Sequence, residues 1–171
     1  LIDHLLSLPQ YGERWGRHWL DVARFAQSNG YERDGEKPEA WRYRDYVVKA
    51  FNEDKPYDQF IREQIAGDEL VDYKHAKEVT PALIDKLVAT GFLRMVPDPT
   101  YSPSNASIPE RINVIADEIE VLGSSVMGLT VGCARCHNHK YDPIPQRDYY
   151  QLGAILQTAY DPYDWLIPSE D

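Results

Sequence analysis

Ser107-Ile-Pro-Glu-Arg-Ile-Asn-Val-Ile-Ala-Asp-Glu-Ile-Glu-Val-Leu-Gly-Ser-Ser-Val-Met-Gly-Leu-Thr-Val-Gly-Cys-Ala-Arg-Cys-His137 joins the clearest helical signal in the chain to its only two cysteines. Ser107 stands three residues before Glu110, a capping-box spacing, and Pro109 suits a first helical turn. Ile112, Ile115, Ile119, Leu122, Val126 and Leu129 then recur in steps of three and four. The spacing predicts one long amphipathic helix that turns this stripe to a core and runs straight at the cysteines. Asp117, Glu118 and Glu120 fall on its polar faces and are expected to meet water.

The same period recurs upstream, and no long stretch alternates as a half-buried strand does, so the class is mainly α. Ile2, Leu5, Leu6 and Leu8 suggest a first helix ended by Pro9. A second is predicted from Tyr11 to Ala26, with Trp15, Trp19, Val22 and Ala26 facing the core. After a turn-rich stretch the period resumes from Trp41 to Phe51 and from Tyr57 to Ile65. Thr80-Pro81 reads as an N-cap with proline at the first helical position, opening a helix that stops near Gly91. Val96 to Pro109 holds four prolines and reads as a loop, a lid or a wrap over a cofactor. A last helix is expected from Tyr149 to Gln157. No repeat or low-complexity tract appears, and the chain reads as a single domain over 1–171, a mature or excised piece of something longer.

Composition narrows the function. The 171 residues carry 28 acidic against 18 basic side chains, a formal net charge of -10, which argues against nucleic acid or an anionic membrane as the main partner. No window reaches the ~18 consecutive apolar residues of a membrane helix. With two cysteines three positions apart, a structural disulfide framework is excluded. Twelve tyrosines, four tryptophans and four phenylalanines suit a domain that packs rings around something large. Asn29, Glu32, Asp34 and Glu36 do not match a calcium-loop spacing and are expected to form a solvated loop.

Cys133-Ala134-Arg135-Cys136-His137 is the run that carries chemistry. Two thiols one helical turn apart can reach both vinyl groups of a porphyrin, and the next side chain can swing an imidazole under the iron; the expected cofactor is therefore haem c. Arg135 and Lys140, beside the run, are candidates to pair with haem propionates. A closed zinc site would need a second ligand pair, borrowed from His4, His18 or His75. A thioredoxin-like pair would need a strand-to-helix junction that a helical chain does not offer.

For the sixth position on the iron, no Met or His follows His139, so the ligand comes from upstream, from Lys140 or a tyrosine, or is absent. Met127, expected on the same helix about 15 Å from His137, lies on the wrong side of the ring. His139, two residues from the proximal ligand, is expected to be a supporting or surface histidine. His18, expected between aromatic walls beside Trp15, Trp19 and Phe25, is the first candidate. Met95 is the second, His75 reads as exposed, and His4 remains.

Tyr11-Gly-Glu-Arg-Trp-Gly-Arg-His-Trp-Leu-Asp-Val-Ala-Arg-Phe25, Trp41-Arg-Tyr-Arg-Asp-Tyr-Val47, Gln64-Ile-Ala-Gly-Asp-Glu-Leu70 and Gly128-Leu-Thr-Val-Gly-Cys-Ala-Arg-Cys-His-Asn-His-Lys-Tyr-Asp-Pro-Ile-Pro-Gln-Arg-Asp-Tyr-Tyr150 resemble a family of unknown function attached to planctomycete-type cytochrome c proteins. The resemblance covers nearly the whole chain. It implies an exported protein, commonly with a cytochrome c domain before this block and an uncharacterised domain after it. The family's histidine contexts are matched by His18 and by His137, His139 and Lys140; Asn138 stands where the family often has Asp. Together these readings give three expectations. The first is an irregular helical domain with long loops wrapped around a covalent haem c, passing single electrons outside the cytoplasm to a neighbouring cytochrome domain or a redox partner that is basic at the contact. The second is a haem enzyme with an open sixth site. The third is a zinc or disulfide scaffold without haem.

Overall fold

The computed structural model describes residues 1–30, 34–101, 104 and 106–165. Among them the chain is mainly helical. The α-helices are α1 (Ile2–Leu6), α2 (Gln10–Val22), α3 (Ala40–Asn52), α4 (Tyr57–Ala66), α5 (Pro81–Ala89), α6 (Ile108–Leu122) and α7 (Gln146–Leu156). Two isolated β-bridges, Ser28 with Glu36 and Asp161 with Asp164, are the extended pairings among the described residues. The chain divides into two compact units: Leu1–Gln27 with Lys37–Met95, and Ser28–Glu36 with Val96–Asp171.

In the first unit α2 lies against α3 through its small residues. The stripe predicted to be buried is only partly so: Trp19 is buried, but Trp15 and Val22 are 50% and 42% exposed, and Ala26 lies past the helix end in solvent. The buried positions are Gly12, Gly16, Trp19 and Ala23. A Cβ on Gly12 would stand 2.3 Å from the Val48 carbonyl oxygen, so only glycine permits this approach of the two backbones. α5 starts as its sequence implies, with Thr80 Oγ1 accepting from Leu83 N at 3.3 Å and Pro81 in the first turn.

Around Trp19 the core is aromatic and hydrogen-bonded. Its ring meets Phe60 edge-on at 5.0 Å and stacks on Phe92 at 5.8 Å. The indole N–H donates to Gln64 Oε1 at 2.8 Å and to Tyr43 OH at 3.0 Å, and Tyr43 OH donates to the same Gln64 oxygen. Beside this triangle Tyr46 OH donates to Glu63 Oε2 at 2.8 Å and Gln59 Nε2 to Glu63 Oε1 at 2.8 Å, while the Lys55 ammonium completes the carboxylate's shell. The Lys55 and Glu63 side chains are 13% and 3% exposed, so the pair is nearly out of water. Burial pushes the Glu63 carboxyl up, but the hydrogen bonds from Lys55, Gln59 and Tyr46 outweigh it and hold it below its ordinary value.

The second unit departs further from expectation. Ser107 occupies the N-cap of α6 without a side-chain capping bond, and the helix stops at Leu122. A π-turn over Gly123–Met127 follows, and Gly128 ends it with φ +65°, a left-handed conformation that glycine adopts without strain. The cysteines are therefore not on a continuation of α6, and Met127 shares no helix with them. The buried residues of α6 are Val114, Glu118, Ile119, Val121 and Leu122, while Ile112 is 42% exposed. Glu118, expected in water, is thus inside.

The described part of Val96 to Pro109 is not a lid. Val96, Asp98, Pro99 and Thr100 are buried; Thr100 N donates to Asp98 Oδ1 at 2.8 Å, and Trp165 Nε1 donates to Thr100 Oγ1 at 2.8 Å. Arg111 ties the segment down, donating to the Ala106 carbonyl at 2.8 Å and the Pro162 carbonyl at 2.7 Å. Asn29, expected in a solvated loop, is 3% exposed, with its backbone N–H and side-chain amide both on the Gly35 carbonyl. Glu32 of that cluster, and Ser102, Pro103 and Asn105 of the proline-rich segment, lie outside the described residues.

Glu63→Ala leaves the Lys55 ammonium buried without its acceptor and is expected to lower stability by about 3–5 kcal/mol in urea denaturation. The folded Glu63 pKa is depressed, so its contribution is present above the unfolded carboxylate pKa and lost as pH falls through the folded value. The stability gap between wild type and Glu63→Gln should therefore narrow below about pH 4; a gap constant from neutral to acid pH would contradict this.

Candidate functional site

Gly132–Arg135 forms one turn of 3-10 helix, and the chain coils on through the motif: Ala134 N donates to the Val131 carbonyl at 2.9 Å, Cys136 N and His137 N to the Cys133 carbonyl at 3.3 and 3.4 Å. Ala134 has no exposed surface, whereas Cys133, Cys136 and His137 are all exposed. Residues three apart stand over one another in such a turn, so burying Ala134 puts both cysteines on the solvent side. Both thiols are free.

α7 fastens the turn from behind. The Arg135 carbonyl accepts from Gln146 Nε2 at 3.1 Å and from Tyr150 OH at 3.0 Å. Asn138 Oδ1 accepts from Gln146 N at 2.9 Å, which satisfies an unpaired donor of the first turn of α7. An Asp at this position could accept the same bond.

His137 Nδ1 lies 2.7 Å from the Asn138 carbonyl oxygen. A carbonyl only accepts, so Nδ1 carries a proton, and whenever the ring is neutral its lone pair is on Nε2. That is the tautomer an imidazole needs to ligate a metal through Nε2, with the other nitrogen held by a backbone oxygen.

His139 is a different case: of the two positions expected for it, supporting or surface, the surface one is excluded by its burial. Its side chain is 7% exposed, and Nδ1 accepts from Asp142 N at 2.9 Å and more weakly from Tyr141 N at 3.4 Å. In the neutral ring the lone pair therefore sits on Nδ1, and Asp142 Oδ2 lies 3.2 Å from the same nitrogen. With its own N–H on the Ile144 carbonyl, His139 is the internal anchor of the 139–144 loop.

Arg135 Nη2 donates to Asn113 Oδ1 at 2.9 Å. Lys140 is exposed, its ammonium 5.2 Å from the centre of the Tyr141 ring. One oxygen of Glu120, Oε2, is buried without a hydrogen-bond partner among the described residues, close to Gly132.

The candidates for a sixth ligand belong to the first unit and are described there. His18 is exposed on α2, its ring 5.3 Å from that of Trp15, itself half in water. The expected aromatic walls do not form, because Phe25 stacks on Tyr43 instead, at 6.5 Å. Met95 is 7% exposed and packed in the core. His75 is exposed, with Nδ1 2.8 Å from Asp72 Oδ1, and His4 is exposed on α1. Among the described residues no group of three or more His, Cys, Asp or Glu side chains is arranged to hold a metal ion.

A groove-like cavity of about 300 Å³ between α6 and α7, with Arg135 in its lining, has no counterpart among the expectations. Its signal was present: Ile112, Ile115 and Ile119 of the long stripe line it.

Replacing His139 with Ala strands the Asp142 N–H and should cost about 1–3 kcal/mol and the amide-exchange protection of Asp142. His139→Asn, whose Oδ1 can stand in for Nδ1, should retain part of both. Equal losses in the two variants would show that the Nδ1 bonds do not hold the loop.

The family described as PSCyt2, protein of unknown function (DUF1549), matches residues 1–161. No curated protein and no solved structure matches the chain.

Proposed function

The chain belongs to the PSCyt2 family, whose function is unknown; from that premise and the chemistry of the Cys133–His137 turn, we propose that it is a c-type cytochrome domain that carries single electrons. The observation that supports this best is the state of His137: Nδ1 is occupied by a backbone carbonyl, and Nε2 is left as an exposed lone pair one residue beyond two exposed free thiols. A zinc site would call on a further pair of ligands. Haem c asks for two thiols and one imidazole, and the turn offers those three.

In this reading Cys133 and Cys136 would hold the haem covalently through their sulfurs. His137 Nε2 would ligate the iron, and the Asn138 carbonyl, by accepting from Nδ1, would fix the orientation of the ring. Ala134, buried, keeps the turn from rotating. Lys140, exposed beside the motif, is available to a propionate, as is Arg135 where its bond to Asn113 leaves donors over. His18 stands as the sixth-ligand candidate on sequence grounds. A bound haem supplies one-electron chemistry at iron, at a potential lower for two imidazoles than for an imidazole and a thioether. Maturation of haem c places the protein in an exported compartment. The net charge of -10 favours a partner, or a neighbouring cytochrome domain, that is basic where it docks.

Protein matured in a host competent for haem c attachment should show a Soret band, and its pyridine haemochrome should have the α-band position of two thioethers. Cys133→Ala and Cys136→Ala should each move that band to the one-thioether position. Low-spin spectra that turn high-spin in His18→Ala would assign the sixth ligand; an already high-spin wild type would remove His18 from that role and favour an open site. Absence of any Soret band in such a host would overturn the proposal.

A further inference from the structure

We propose that the groove between α6 and α7 is a binding site for a small organic monocarboxylate with an apolar body. The inference requires no haem, but it assigns the Arg135 guanidinium to a free ligand, leaving Lys140 for a propionate. Ile112, Ile115 and Ile119 form one wall, and Tyr149 and Gly153 of α7 face them across a cavity of about 300 Å³. Such a volume is at the lower end of the ~300–1,000 Å³ range of ligand pockets, so the ligand is small. Apolar walls with few polar groups are the ordinary makeup of such pockets, and here the one charged residue in the lining is Arg135.

The state of that arginine points to the charge of the ligand. The protein carries ten more acidic than basic residues, yet among the described residues no carboxylate pairs with the half-buried Arg135; its guanidinium donates to the neutral Asn113 Oδ1. A guanidinium has five N–H donors and recognises carboxylates in a fork, which leaves this one with donors to give. Its charge also reaches into the groove wall: burial pushes the Tyr149 phenol up, Arg135 acts against that rise more strongly than any other charged group, and the Glu120 and Asp117 carboxylates add to it. A carboxylate on Arg135 with its hydrocarbon body along the isoleucines satisfies both surfaces. A dianion would find one cation, and a neutral molecule would leave it unpaired.

Placing the groove under α6 also explains why the isoleucine stripe, regular as any core face, is left partly open. Ile112 remains 42% exposed at the outer end of the stripe, although Ile119 and Leu122 further along it are buried.

The test is titration of the full chain with octanoate and 3-phenylpropionate, followed by NMR line shifts and calorimetry, on haem-free and haem-loaded protein. Saturable binding is expected in both, with octanol at least tenfold weaker. Arg135→Gln should weaken octanoate about tenfold or more, in line with a charge-assisted bond of ~1.5–3 kcal/mol. Arg135→Lys should recover part of it. Ala154→Phe, at an exposed position of the groove lining, should block the site while leaving the circular dichroism and melting temperature of the fold unchanged. Absence of saturable binding overturns the proposal, as does affinity that is the same in wild type, Arg135→Gln and Ala154→Phe.

Discussion

Ala134 has no surface in contact with water, and the second unit is organised by that burial. It is the inward side chain of the turn whose neighbours are a cysteine and an arginine. With Ala134 inside, Cys133 and Cys136 face outward and the Arg135 side chain runs along the helices. The Arg135 carbonyl, held by Gln146 and Tyr150, stops the turn from rolling about its own axis. Asn138 extends the grip by one further bond to the start of α7 and, through its carbonyl, sets the His137 tautomer. A reactive constellation on a loop is only as well placed as the elements behind it, and here α7 does the placing.

The two units solve the problem of buried polarity in different ways. In the first, the Glu63 carboxylate and Lys55 ammonium are enclosed together, and Tyr46 and Gln59 fill the remaining acceptor sites, so that nothing charged is left over. Closed networks of this kind make a rigid body and offer nothing to a ligand. In the second, Arg135 sits at a groove with donors to spare, Glu120 buries one oxygen that no hydrogen bond reaches among the described residues, and His137 presents a bare lone pair. Unfinished valences of this sort belong where binding and chemistry occur.

Where side-chain size and burial agree, the sequence was legible. α3, α4 and α5 begin and end within a residue or two of the positions their periodicity implies, and Thr80-Pro81 caps α5 as its chemistry demands. The reading failed on α2 because its contact is made by Gly12 and Gly16, residues that carry no hydrophobic signal, while Trp15 draws the eye and faces water. It failed on α6 for the opposite reason: the isoleucine stripe is real but borders a groove, and a left-handed Gly128 ends the helical run that the 3,4 spacing carries on to Leu129. Within the site, the residue types at Cys133, Cys136 and His137 were evident, but the division of labour between His137 and His139 was not. It depends on which backbone groups face each Nδ1, a carbonyl in one and two N–H groups in the other, and only folding decides that. The helical class and the family of unknown function followed from the sequence pattern; His18 in an aromatic pocket did not survive, since Phe25 turns to Tyr43.

The central claim is a covalent haem on the 133–137 turn, and the most direct measurement is the intact mass of the denatured protein after acid-acetone extraction, from cells that carry a haem c maturation system. The account predicts that one haem mass remains on the wild-type chain and maps, after proteolysis, to the peptide containing Cys133 and Cys136, with none retained by the double variant in which both are Ala. A wild-type chain that leaves extraction at the mass of its amino-acid sequence alone would contradict it.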